Sequence, residues 1–183
     1  MNFKPTPIAG LWQVETRPIG DARGSLTRLF CEQVFETIRP GLRFVQSNHT
    51  RTAQRGTMRG MHLQRAPALE AKLIRCIQGS VHDVVVDLRR GSPTFGHWHA
   101  VELNDHNERQ LFIPEGCAHG FQTLTDDVQM FYQHTATYTP TCEIGVPHDD
   151  PRLAIRWPLP VTQRSERDCN HPPLTADFTG IAA

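Results

Sequence analysis

The feature that most limits what this chain can fold into is its punctuation from Leu42 onward. Short apolar runs alternate with polar residues, most are closed by Gly, Pro or a polar turn such as Asn104–Glu108, and almost nothing keeps a helical period. Arg43–Asn48, Ala71–Ile77, Ser80–Leu88, Trp98–Leu103, Arg109–Ile113 and Val128–His134 each read as a strand. Alternation places Lys72, Ile74 and Cys76 on one face of the second of these. Ser80–Leu88 is apolar on both faces apart from His82, Asp83 and Asp87, as expected of a strand covered on both sides. Arg51–Gly56 reads as a polar loop, and only Glu32–Ile38, closed by Pro40-Gly41, reads as a helix. Many short strands and almost no helix predict an all-β chain, a jelly roll or barrel sandwich with one or two short helices.

The two ends differ from this middle. Pro5, Pro7 and Pro18 flank the apolar segment Ile8–Val14, which suits an extended arm with one or two strands. A turn at Gly20–Gly24 then leads into a predicted strand, Ser25–Phe30. After Tyr138 the chain is proline-rich and irregular, with one strand expected near Leu153–Trp157. At 183 residues a single domain spanning 1–183 is expected, with an arm to about residue 30 and an irregular segment from about residue 139.

Composition excludes several functions. Nineteen basic and nineteen acidic side chains balance, so no nucleic-acid footprint is visible. The five cysteines are scattered and contain no C-x-x-C pair, which argues against a disulfide framework and against a cysteine zinc site. No long apolar run suggests a signal peptide or a membrane span, so a cytoplasmic protein without a membrane partner is expected.

Chemistry concentrates in Arg59-Gly60-Met61-His62-Leu63-Gln64, read together with Lys72. Arginine clamps anions through a planar fork that stays charged. Histidine is suited to take a proton near neutrality, and lysine can meet negative charge developing on a carbonyl oxygen. Together they suggest proton abstraction next to a ketone on a phosphorylated substrate. Each residue alone has a blander reading: a solvated charge, a structural histidine, a glycine marking a bulge or a close backbone approach. Asp83, His119, Tyr132 and Asp168, further along, are the company that favours the chemical reading.

The chain resembles the dTDP-4-dehydrorhamnose 3,5-epimerase family from about residue 10 to residue 175. The likeness is carried by Asp21-Ala22-Arg23-Gly24, Phe44–His49, Arg59–Gln64, Lys72-Leu73, Gly79–Arg89 and Gly91–Gly96, in that order. Arg109–Gly116, Ala118–Phe121, Tyr132 with Tyr138, and Ser165-Glu166-Arg167-Asp168 complete it. The resemblance implies a cupin-type jelly-roll β-sandwich that inverts C3, C5 or both in a nucleotide-linked 4-keto-6-deoxyhexose, with no cofactor and no metal. It implies His62 as the base, oriented by Asp168. Lys72 would be the enolate partner, placed by Asp83, and Tyr132 the acid on the opposite face. His119 would line the sugar pocket; Arg59, Gln46 and Asn48 would bind diphosphate or sugar, and Tyr138 could stack on the base. Arg23 would reach the neighbouring site of a homodimer that exchanges N-terminal strands.

Ser25, Leu26, Thr27 and Arg28 stand where relatives usually carry aromatic residues and a glutamate, and the Arg51–Gly56 loop is one residue longer. dTDP-4-dehydro-6-deoxyglucose is the expected substrate, and a relaxed or altered base preference is the alternative. Two rivals lie outside this class. A metal-dependent cupin needs an H-x-H pair with further ligands, and the only such pair is His97-Trp98-His99. A binding module that holds a sugar nucleotide without turning it over has no need of a proton donor and acceptor.

Overall fold

The computed structural model describes Met1–Ala183, and its strands form two antiparallel sheets stacked face to face. The first runs in the order β1 (Asn2–Pro5), β2 (Trp12–Glu15), β10 (Arg109–Ile113), β7 (Lys72–Gln78), β12 (Val128–His134) and β5 (Gln46–Thr52). The second runs β13 (Glu143–Gly145), β6 (Met58–Gln64), β11 (Cys117–Thr123), β8 (Ser80–Asp87) and β9 (Trp98–Asn104). A separate hairpin, β3 (Ile19–Asp21) with β4 (Gly24–Leu26), pairs only with itself. Two one-turn helices, α1 (Glu32–Phe35) and α2 (Glu166–Cys169), complete the fold. This is the jelly-roll sandwich that the alternation predicts.

Period two decides which side chains enter the sandwich. Ile74, Cys76, Val81, Val85, Leu111, Phe121 and Met130 meet between the sheets and form the main core. The next residues along the same strands turn outward and are also covered. Val84, Val86, Ala118, Met61 and Leu63 pack under Val146, Leu153 and Ile155 of the C-terminal segment. The tail therefore explains why β8 is apolar on both faces. On the far side, Val14, Leu73 and Phe112 lie under Phe35 and Leu42.

Four expectations change in detail. Leu153–Trp157 is not a strand: Leu153 and Ala154 donate back to the Asp150 carbonyl, Ala154 has φ 47, and the apolar side chains are buried without a ladder. Ser25–Phe30 keeps strand pairing only as far as Leu26, because Thr27 turns to the Glu108 carboxylate and Phe30 packs against Phe35. The Arg43–Asn48 strand begins at Gln46 and runs on through Arg51 and Thr52, which follow the register of β12 rather than forming a loop. The helix at Glu32 ends at Phe35 and continues as a turn to Ile38. The N-terminal strands β1 and β2 extend this chain's own sheet through β10, leaving only the β3–β4 hairpin outside both sheets.

Candidate active site

The site is built around an irregularity in β6. Against β11, His62 pairs with His119, but Arg59 pairs with Phe121, so β6 spends one more residue than its partner over the same distance. Strict alternation would send Arg59 and His62, three residues apart, to opposite faces. The extra residue brings both to the inner side, with Gln64 after them, while Met61 and Leu63 face the tail. Glycine is required here: Gly60 has φ +112, and a Cβ on it would lie 2.5 Å from Gly120 Cα and 2.7 Å from the His119 carbonyl. The glycine of the motif does mark a bulge, and that bulge places the histidine.

A cavity of about 250 Å³ opens between the sheets at this end. It is lined by eight of the residues singled out in the sequence: Gln46, Asn48, Arg59, His62, Lys72, His119, Tyr132 and Tyr138. His62 projects from the second sheet, whereas Lys72 and Tyr132 project from the first, so histidine and tyrosine face one another across the space. Arg59 is tied only to the Thr52 hydroxyl at 2.9 Å and the Arg51 carbonyl at 3.4 Å, leaving an exposed guanidinium free for an anion.

Asp168 and Asp83 lie behind the cavity wall, each holding a histidine. His62 Nε2 donates to Asp168 Oδ1 at 2.8 Å, and Asp168 Oδ2 accepts from the Gly60 amide at 3.2 Å. That hydrogen bond assigns the proton to Nε2 and leaves a lone pair on Nδ1, as a base needs. Burial alone would raise the Asp168 carboxyl, but His62, the Gly60 amide and the Ser165 hydroxyl together hold it down to about 2. Asp83, wholly buried, accepts from His119 Nε2 at 2.9 Å; burial pushes its carboxyl up against the pull of His119. Tyr132 is pushed well above the ordinary phenol range by burial, so its proton is retained.

One expectation is corrected. Lys72 is not placed by Asp83: its ammonium donates to the His62 carbonyl at 3.2 Å and pairs with Glu70 at 3.2 Å. Asp83 therefore acts on His119 and does not line the cavity. Arg23 is not at the site within one chain; it lies 90% exposed on the hairpin, paired with Asp21 at 2.6 Å.

Several site residues escaped the sequence reading. Glu70 and His134 lie two positions from Lys72 and Tyr132, so period two was signal enough to find them. Glu143 and Arg167 flank the mouth: Tyr138 Oη and Arg167 Nη1 each donate to Glu143 Oε2 at 2.8 Å. His171 sits edge-on to His62 at 5.5 Å, its ring over Gly145, and no local pattern points to it. Ligand atoms of His62, Asp168 and His171 fall within 4.8 Å of one another, a spacing seen in metal sites, but here His62 and Asp168 are already bonded to each other. Of the His97-Trp98-His99 pair, His97 just precedes β9 and His99 lies on it, and neither lines the cavity.

An oriented imidazole with a free lone pair on one sheet, and a protonated phenol and an ammonium on the facing sheet, can move a proton from one face of a carbon to the other. The comparisons with known proteins agree. The family model for dTDP-4-dehydrorhamnose 3,5-epimerase matches residues 5–176. The chain belongs to that family. Its curated relative from Sinorhizobium fredii, a dTDP-4-dehydrorhamnose 3,5-epimerase, is 41% identical over 175 residues, covering 95% of this chain and 90% of the relative. A dTDP-4-dehydrorhamnose 3-epimerase from Streptomyces niveus is 38% identical over 169 residues, covering 92% and 81%. The crystal structure of dTDP-6-deoxy-D-glucose-3,5-epimerase from Legionella pneumophila, in complex with dTDP-4-keto-L-rhamnose, superposes with a TM-score of 0.90 at 37% identity, covering 100% of this chain and 98% of that one. Membership of this epimerase family makes the protein an isomerase of the sugar-nucleotide epimerase class, with the cupin-type jelly roll. No helix is long and apolar enough to cross a membrane.

Proposed function

We propose that the protein inverts C3 and C5 of dTDP-4-dehydro-6-deoxyglucose, working at each carbon beside the C4 ketone. The observation that carries this is that one cavity is lined by His62 from one sheet and by Tyr132 and Lys72 from the other. His62 Nδ1 takes the proton from the carbon next to the ketone, and its positive charge is balanced by Asp168. The electron pair moves into the carbonyl, and Lys72 Nζ meets the charge that develops on its oxygen. Tyr132 then returns a proton to the opposite face, which inverts the centre. His119, steadied by Asp83, lines the sugar pocket, and Arg59 takes the diphosphate, with Arg167 exposed at the same mouth.

The same reading gives the β3–β4 hairpin a purpose. Ile19 and Leu26 are each 74% exposed on it, and Arg23 stands at its tip. In a homodimer the hairpin covers these apolar side chains against the second copy and carries Arg23 to that copy's nucleotide. Leu26 and Arg28 on this arm are then the residues that touch the base.

Incubation in heavy water with the 4-keto sugar nucleotide, followed by NMR, tests the reaction. Deuterium at both C3 and C5 with inverted configuration is the expected result. Label and inversion at C3 alone would make the chain a single-centre epimerase like the Streptomyces niveus relative. No label at either carbon would make it a binding protein.

A further inference from the structure

Lys72 is an ammonium with three protons to place in a wall that leaves it 9% exposed. It donates to the His62 carbonyl at 3.2 Å and has Glu70 Oε1 as its counter-ion at 3.2 Å, and it still lines the cavity. The Glu70 carboxylate is itself only 8% exposed, and its other oxygen accepts from His134 Nδ1 at 2.8 Å. With Nδ1 donating, His134 Nε2 is the acceptor, and the Asn48 amide lies 3.3 Å from it. Two arms thus converge on the Glu70 carboxylate: Asn48 on β5 donates to His134 on β12, which donates to one oxygen, while Lys72 on β7 faces the other. The His134 ring also lies nearly parallel to Tyr132, with centroids 6.1 Å apart and planes 20° off.

We infer that Glu70 and His134 are positioning residues that hold Lys72 charged and aimed at the substrate's carbonyl oxygen. A buried ammonium without a counter-ion loses its charge or swings out of place, and Glu70 prevents both. A carboxylate bonded to Lys72 alone would compete with the enolate for that ammonium. The hydrogen bond from His134 draws part of the carboxylate's charge to the second oxygen, so Lys72 is retained and still free to respond. Burial pushes the Glu70 carboxyl up, but His134 and Lys72 outweigh it and leave it below the ordinary range, so the group stays ionised.

This inference rests on Lys72 meeting the enolate, so the test includes Lys72→Ala. Glu70→Gln keeps the shape and loses the charge; His134→Leu loses the donor; His134→Asn restores an N–H close to the Nδ1 position. The readouts are kcat and KM for epimerisation, with slow variants followed by solvent deuterium exchange. Glu70→Gln and His134→Leu are expected to lower kcat by about ten- to a hundredfold with KM little changed, the effect of one hydrogen bond to a charged group. His134→Asn should recover most of the loss. Glu70→Gln placed on Lys72→Ala should cost nothing further, because it acts only through the missing ammonium. Losses that add in the double variant, or full activity in Glu70→Gln and His134→Leu beside an inactive Lys72→Ala, would overturn the inference. Full activity in Lys72→Ala would instead remove Lys72 from the proposed mechanism and this inference with it.

Discussion

His62 and Asp168 form a pair whose members answer different questions when changed. His62→Ala removes the base and leaves Arg59 in place, so nucleotide-sugar affinity should persist while the rate of α-proton exchange falls by about 10²–10⁴-fold. Calorimetry beside NMR exchange separates the two, and wild-type exchange in the variant would exclude His62 as the base. Asp168 adds a dependence on pH. Its carboxyl is held to about 2 in the folded protein against an ordinary 3.8, so its ionised form stabilises the native state above the ordinary range. That contribution, about 2 kcal/mol, is lost as pH falls from roughly 4 toward 2. Urea unfolding of wild type and Asp168→Asn should therefore differ near neutrality and converge only as pH falls to about 2. A gap that stayed constant with pH would mean the stabilisation does not come from the charge. Tyr132→Phe should keep proton abstraction and lose delivery, so solvent exchange outlasts inversion; inversion at the wild-type rate would assign the acid to another residue.

At the scale of the element, the bulge in β6 decides where Arg59 and His62 point. Gly60→Ala would drive a methyl group into the Gly120 backbone and impose φ +112 on a residue with a Cβ. It should cost on the order of 1–3 kcal/mol in melting experiments and lower turnover further than the stability loss accounts for, since both Arg59 and His62 shift. Unchanged kcat would show that the bulge is not what places them. The same element marks how far sequence could be read. β8, β10 and β12 obey period two, as does β7 from Lys72 to Cys76 before a register shift against β12, and their strands and inward faces were legible, Lys72 included. Glu70 and His134 obeyed the same rule and needed only its consistent application. In β6 the period fails by one residue, which a glycine can permit but not announce. The tail buries Leu153 and Ile155 without a ladder, so an apolar run there imitated a strand. Asp168 was legible only through family resemblance, because nothing local separates a buried aspartate from an exposed one in a one-turn helix.

For the whole molecule, the proposed homodimer makes its own prediction. If Arg23 completes a neighbour's pocket, Arg23→Ala and His62→Ala chains should each be nearly inactive alone. Mixed after partial unfolding and refolding, they should regain activity, because one pocket of each mixed dimer then holds both residues. Failure to regain activity, with mixed dimers demonstrated by mass, would confine Arg23 to its own chain.

The distance along the chain between His62 and its carboxylate has a consequence in time. Every strand that frames the cavity precedes Gly145, whereas Asp168 follows more than twenty residues of irregular tail. On a ribosome the pocket, the cation and the phenol are all synthesised before the base can be oriented. The tail that seals the outer face of the second sheet also delivers Asp168 to Gly60 and His62. On the proposed mechanism, catalytic competence is thus a late acquisition of the growing chain, delivered by the same tail that covers the outer face.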